Sequence, residues 1–189
     1  MVEVVCLRHG ESENVVLGMA GQVPAAPLTA RGREQARAVR LPGITHAYAS
    51  ATVRARQTAE LLGVPVTELA GLGEVGVGSR EGVADAGLRR ETAEVLRAWV
   101  VDGDLDRRVG DGESGHEVLA RMAAALDLVA ARHQDGGGPV VVGHVAGLTL
   151  LASVRCGLGE AVWGAPLPHA VPFVLRRGGS RWQCAGWPG

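Results

Sequence analysis

The chain has 189 residues, 47% hydrophobic and 21% charged, which suits one packed domain and argues against a disordered chain or a membrane span. Its formal charge is −1, and all 19 basic residues are Arg, so no global field favours nucleic acid or an anionic membrane; a bound anion must meet a local Arg cluster. Cys6, Cys156 and Cys184 have no CxxC spacing, which points away from a disulfide framework or zinc site and toward a reducing cytoplasm; the Met1–Leu7 start lacks the basic region of a signal peptide.

Val2–Leu7 is a short β-branched apolar run and reads as a buried strand, with Arg8-His9-Gly10 at its carboxyl end. Residues 11–27, broken by Gly18, Gly21, Pro24 and Pro27, read as irregular. Thr29 caps a predicted helix to about Arg40, stopped by Pro42-Gly43. Thr45–Ala49 is a second strand, and Ser50 or Thr52 caps a helix that ends at Gly63. Val64-Pro65-Val66 reads as an edge strand. The Gly-rich stretch 70–87 carries Glu74, Glu81 and Asp85 and is too long for a plain connector.

Leu88–Val101 fits a helix, and 102–113 a polar loop. Ser114 and Glu117 form a capping box before Val118, Met122, Leu126 and Val129 at helical spacing; Asp135–Pro139 closes that helix. Val140–Val142 is a buried strand ending in Gly143-His144, followed by a short apolar helix over Leu148–Val154. Val171–Arg176 and Arg181–Ala185 flank Gly178-Gly179 as a terminal hairpin. Strands alternating with helices, without repeats or linkers, predict one α/β domain over 1–189.

Two segments share one design: an apolar strand running into a His-bearing turn, at His9 and at His144. Ligands of open α/β sheets bind beyond the carboxyl ends of strands, so the two His face one crevice if their strands are neighbours. Arg8 sits beside His9, and Arg54 opens the helix after the second strand, where a helix N-terminus also suits an anion. Arg56 lies two positions on, so only one of the pair faces the crevice. Two Arg and two His on one point describe a phosphate pocket. A neutral His with one free nitrogen is a competent nucleophile toward phosphorus, and a backbone carbonyl on the other nitrogen would hold that tautomer. A carboxyl group must protonate the leaving alcohol; Glu74 is the candidate, with Glu81 its competitor.

These residues resemble the histidine phosphatase superfamily (phosphoglycerate mutase-like, branch 1). The likeness rests on Leu7-Arg8-His9-Gly10-Glu11-Ser12, Pro27–Ala36, Ser50–Ala59, Leu72-Gly73-Glu74 through Gly82, Gly112-Glu113-Ser114 and Val142-Gly143-His144, in that order. The resemblance implies a three-layer α/β/α sandwich with a mostly parallel sheet and a small cap around 75–113. It implies His9 as a nucleophile forming phosphohistidine, Glu74 as the proton donor, and Arg8, Arg54 and His144 as phosphoryl ligands. It implies no metal or other cofactor. The expected partner is a small phosphorylated metabolite, and the chain is expected as a monomer or homodimer in the cytoplasm. An Asn six residues after the nucleophile is common in the family. Here position 15 is Val, and Asn14, with Ser12, is the candidate substrate contact. Ala51 replaces a common Pro, and the bulky Val145 follows His144 where small residues are usual. The short stretch from Glu81 to Gly112 favours water entry and hydrolysis over phosphoglycerate mutase-type transfer. A non-catalytic phospho-ligand-binding module is the rival from another class. Glu113 reads as a complement to a helix dipole, Arg89-Arg90 and Arg107-Arg108 as solvated surface, and Trp163, Trp182 and Trp187 as packing.

Overall fold

A computed structural model describes residues 1–134, 136–164 and 166–188; of the predicted helix stop at Asp135–Pro139, Asp135 lies outside them. The strands are β1 (Val2–Arg8), β2 (Ile44–Ala49), β3 (Val66–Glu68), β4 (Gly138–Gly143), β5 (Phe173–Gly178) and β6 (Arg181–Ala185). The helices are α1 (Glu13–Val16), α2 (Ala30–Ala38), α3 (Val53–Glu60), α4 (Ala86–Arg97), α5 (Gly115–Arg132) and α6 (Val145–Arg155). Six strands form one sheet in the order β3-β2-β4-β1-β5-β6. β3, β2, β4 and β1 run parallel, and β5 runs antiparallel to both β1 and β6.

Side-chain alternation along the strands divides the core into two layers. Val4, Cys6, Tyr48, Val141, Phe173 and Leu175 face α4, α5 and α6. Leu7, Ala47, Ala49, Val140 and Val142 face α3, with Val39 beyond α2 packed behind. The result is the α/β/α sandwich that the sequence leads one to expect. The interior strands β1 and β4 are apolar on both sides because both faces are covered. No described helix is long and apolar enough to cross a membrane.

Local signals explain most element ends. The Thr29 side chain accepts from Gly32 N–H at the start of α2, and the Ser114–Glu117 capping box opens α5. Several boundaries differ from the pattern reading, among them β3 at Val66–Glu68 and β5 at Phe173–Gly178. The region 11–27 contains the single-turn α1, begun at Ser12. Asp85 caps α4 through Leu88 N–H, so that helix starts earlier, then passes into a π-helical turn at Ala98–Asp102 that buries Trp99. Helix α6 starts at Val145, directly after His144, because Ala146 and Gly147 are buried rather than looped out; a Cβ on Gly147 would stand 3.3 Å from Met122 Sδ.

Candidate active site

β1 and β4 are adjacent and parallel, with Arg8 in register with Gly143. The two His-bearing strand ends therefore open at one sheet edge. His9 N–H donates to Gly143 O at 3.0 Å. Ser50, at the end of β2, donates its N–H to Val142 O at 3.1 Å. Three strand termini thus converge, the place where open α/β sheets bind ligands.

His9 is held from several sides. Its Nδ1–H donates to Gly10 O at 2.6 Å, so Nε2 carries the lone pair. His169 Nδ1–H donates to His9 O at 2.9 Å. Gly10 N–H donates to Thr58 Oγ1 at 3.1 Å, and that hydroxyl donates to Arg54 O at 2.8 Å. The turn after His9 is a close backbone approach. A Cβ on Gly10 would stand 2.4 Å from Gly32 O, and one on Gly32 would stand 1.9 Å from Glu11 O. Glycine is required at both positions for lack of space.

Arg54 occupies the second position of α3 and is 1% exposed. Its Nε–H donates to His9 Nε2 at 3.2 Å, and Nη2 donates to His144 Nδ1 at 3.3 Å. Its Nη1 donates to Val23 O at 2.9 Å. Val23 adopts φ +36°, a costly conformation for a β-branched residue, with its carbonyl on this guanidinium. Arg56 turns away and pairs with Glu60 and Glu68. Of the two arginines weighed from the sequence, Arg54 is the one in the crevice.

His144 is fully buried at the end of β4 and donates Nε2–H to Ser50 Oγ at 2.8 Å. Its ring centroid lies 5.0 Å from that of His9. Burial pushes both imidazoles well below the ordinary value, aided at His9 by His144, Arg54 and Arg8, and at His144 by Arg54 and Arg8. Both rings are neutral at pH 7. Burial also lowers Arg54, to about 10, which leaves it charged.

Arg8 donates Nη1–H to Leu167 O at 2.9 Å. Its Nε is buried without a hydrogen-bond partner among the described residues. An unmatched buried N–H on a cation costs stability unless an acceptor meets it, so the atom points to an anion.

Glu74 shares a cavity of about 270 Å³ with Arg8, His9, Arg54 and Asn14. Burial raises its carboxyl above the ordinary range, opposed by Val75 N–H and by the charges of Arg54 and Arg8. A carboxyl group of this kind exchanges protons with a reacting oxygen. Glu81 is engaged elsewhere: it accepts from Gln22 N–H at 2.7 Å and Val77 N–H at 2.8 Å and braces two loops. The competition between the two carboxylates is thus decided by the loop path.

Asn14 lines the cavity, and its Oδ1 accepts from Ser12 Oγ–H at 2.7 Å. That bond leaves the amide nitrogen for a ligand. Ser12 needs correction as a candidate substrate contact. It is fully buried, does not line the cavity, and uses its hydroxyl to orient Asn14.

Sequence reasoning missed Arg121. From α5 it donates to Gly71 O at 3.0 Å, Gly73 O at 2.8 Å and Glu74 O at 3.0 Å. It also makes a two-pronged pair with Glu113 at 2.7 and 2.8 Å, and Glu113 accepts from Gly76 N–H at 2.8 Å. Glu113 is therefore a strut of the Glu74 loop as well as a residue near a helix start. No spacing rule links position 121 to 71–74. His169 was missed too; its one signal is a lone His after the Pro166-Leu167-Pro168 run. No group of three or more His, Cys, Asp or Glu suited to a metal ion occurs among the described residues.

Comparison with known proteins agrees with this arrangement. Residues 4–188 match the histidine phosphatase superfamily, branch 1. A protein of Salmonella arizonae named probable phosphoglycerate mutase GpmB is 36% identical over 99% of this chain and 90% of its own length. A mycobacterial glucosyl-3-phosphoglycerate phosphatase, solved with inorganic phosphate, superposes with a TM-score of 0.76 at 25% identity, covering 100% of this chain and 98% of that one. The α-ribazole phosphatase of Shigella flexneri shares the fold, with a TM-score of 0.74 at 23% identity over 100% of this chain and 96% of that one.

Proposed function

The chain belongs to the histidine phosphatase superfamily, and we propose that it hydrolyses a small phosphorylated metabolite through a phosphorylated His9. One observation carries the reading: His9 is bonded through Nδ1 to Gly10, presents its Nε2 lone pair beside Arg54, and shares its cavity with a carboxyl group of raised affinity for protons.

In the first step His9 Nε2 attacks phosphorus, and the bond from phosphorus to the ester oxygen breaks. Glu74 gives its proton to that oxygen, so a neutral alcohol departs. Arg8 and Arg54 hold the phosphoryl oxygens, Arg54 turning to the anion the donors that now meet nitrogen and carbonyl partners, and His144, whose one proton meets Ser50, joins them when its Nδ1 takes the proton of a phosphate monoanion as that binds. In the second step water attacks the phosphorus of phosphohistidine, Glu74 carboxylate takes the water proton, and the nitrogen–phosphorus bond breaks. Inorganic phosphate leaves, and His9 is again neutral. The reading takes 1–189 as one domain with its cap at 75–113, a small-molecule partner and a cytoplasmic setting.

The likeness to relatives named phosphoglycerate mutase favours one second reading, in which phosphohistidine returns its group to an alcohol instead of water. The test is release of inorganic phosphate from p-nitrophenyl phosphate in excess chelator, for wild type and His9→Ala. Wild-type turnover that is lost in His9→Ala, with an acid-labile, base-stable phosphoprotein trapped on quenching, is the expected result. Turnover surviving in His9→Ala refutes the nucleophile. Isomerised 3-phosphoglycerate without phosphate release favours the mutase. Stoichiometric phosphate binding with no turnover favours a non-catalytic module.

A further inference from the structure

Beside the phosphate cavity lies a second one, also of about 270 Å³. Ala93, Leu96 and Val145 line both, so the two spaces adjoin along one apolar wall. Val145 follows His144 directly and opens α6; Ala93 and Leu96 lie three apart on α4, on one face. Thr149, Val162, Trp163, Gly164 and Pro166 complete its described lining.

This second space differs chemically from the first. None of the described residues that line it carries a charge. Its polar side-chain groups are the Thr149 hydroxyl and the Trp163 indole N–H. Trp163 is 38% exposed and so offers ring surface that the core does not use. Val145, the bulky residue standing where the family pattern has small ones, builds the shared wall. A sugar or glycerate body needs several hydrogen-bond partners, and leaving them unmatched in an apolar cavity is costly. An aryl or arylalkyl body loses nothing there and gains contact with Leu96, Val162 and Trp163.

Resting on the hydrolase reading, we propose that the second cavity seats the leaving group of the substrate and selects phosphomonoesters of apolar, ring-bearing alcohols. The phosphoryl group lies against Arg8, Arg54 and His144, and the alcohol passes Val145 into the space beneath Trp163.

The experiment measures kcat/KM for 2-phenylethyl phosphate, ethyl phosphate and 3-phosphoglycerate. The first two are alkyl esters with poor leaving groups, so leaving-group chemistry contributes little to their ratio. Wild type is expected to prefer 2-phenylethyl over ethyl phosphate by about 10–100-fold, the scale of discrimination open to a hydrophobic pocket. Trp163→Asp is expected to bring that ratio to within about 3-fold of unity, and Trp163→Phe to keep most of it. Wild-type turnover of ethyl phosphate without a preference for the phenylethyl ester overturns the inference and leaves the hydrolase reading standing. So does a preference for 3-phosphoglycerate, or a phenylethyl preference unchanged in Trp163→Asp. Failure of wild type to hydrolyse any ester, p-nitrophenyl phosphate included, overturns both.

Discussion

Arg54 donates its Nε–H to His9 Nε2 at 3.2 Å, while Gly10 O accepts the proton of Nδ1. The guanidinium therefore presses on the atom that must stay unprotonated. Removing it acts twice: one phosphoryl ligand is lost, and His9 is relieved of a neighbouring charge that lowers its proton affinity. Arg54→Ala is expected to reduce kcat/KM by about 10²–10³-fold and to move the acid limb of the pH–rate profile to higher pH. A fall in activity with an unmoved acid limb would mean that Arg54 binds the anion without tuning His9.

Glu74 makes a second prediction, read through the leaving group. Alkoxides need a proton as they depart, whereas p-nitrophenolate leaves without one. Glu74→Gln is expected to cost about 10²–10⁴-fold on an alkyl phosphate and much less on p-nitrophenyl phosphate. The first step needs Glu74 protonated, and burial raises its affinity for protons, so the basic limb should lie above the ordinary carboxyl range. Equal losses on both substrates would assign Glu74 a positioning role instead.

Arg121 is a positioning residue. It holds Gly71, Gly73 and Glu74 by their carbonyls from the middle of α5. Arg121→Ala leaves these acceptors and Glu113 unmatched, with an expected loss of about 1–3 kcal/mol in denaturant unfolding. It should also move the basic limb of the pH–rate profile to higher pH, because the Arg121 charge is one of those that lower the proton affinity of Glu74. Arg121→Lys cannot reproduce the fork and should rescue little. A variant that loses stability with an unchanged pH profile would limit Arg121 to a structural role.

The Gly10–Gly32 approach gives a fourth test. Gly10→Ala forces a methyl group against Gly32 O, which cannot yield without moving α2. The expected cost is about 1–3 kcal/mol of stability, with a larger fall in kcat as the His9 turn shifts. Gly178→Ala is the control for the added methyl group alone, since its φ is not positive and nothing lies within 4 Å of its built Cβ. Full activity in Gly10→Ala would contradict the tight turn.

Acid should weaken the fold through the two buried His. Burial depresses both below the ordinary value of about 6.5 that they recover on unfolding. The unfolded chain then binds more protons, so the stability they contribute is complete above pH 6.5 and declines as pH falls below it. His9→Asn should flatten the stability–pH curve below about pH 6.5. An unchanged slope would show that other groups govern acid unfolding.

Much of the fold was legible because its determinants are local. The β-branched runs at Val2–Leu7 and Val140–Val142, the Thr29 and Ser114 caps, and the terminal hairpin turn state their conformations within a few residues. The order of motifs made Arg8, His9, Arg54, Glu74 and His144 readable as one group, since strand–turn–helix patterns fix where a residue sits on a sheet edge. Side-chain partners at long range were not legible. Arg121 meets the Glu74 loop across some 50 residues of chain, and only the packing of α5 on the sheet brings them together. Whether Ser12 faces a ligand or Asn14 depends on a loop path that no residue spacing encodes. Sequence alone determined which chemical groups are available and their order along the chain. Tertiary structure decided which of them share a dry space, because burial, proton affinity and the wall at Val145 and Trp163 arise only when distant segments exclude water together.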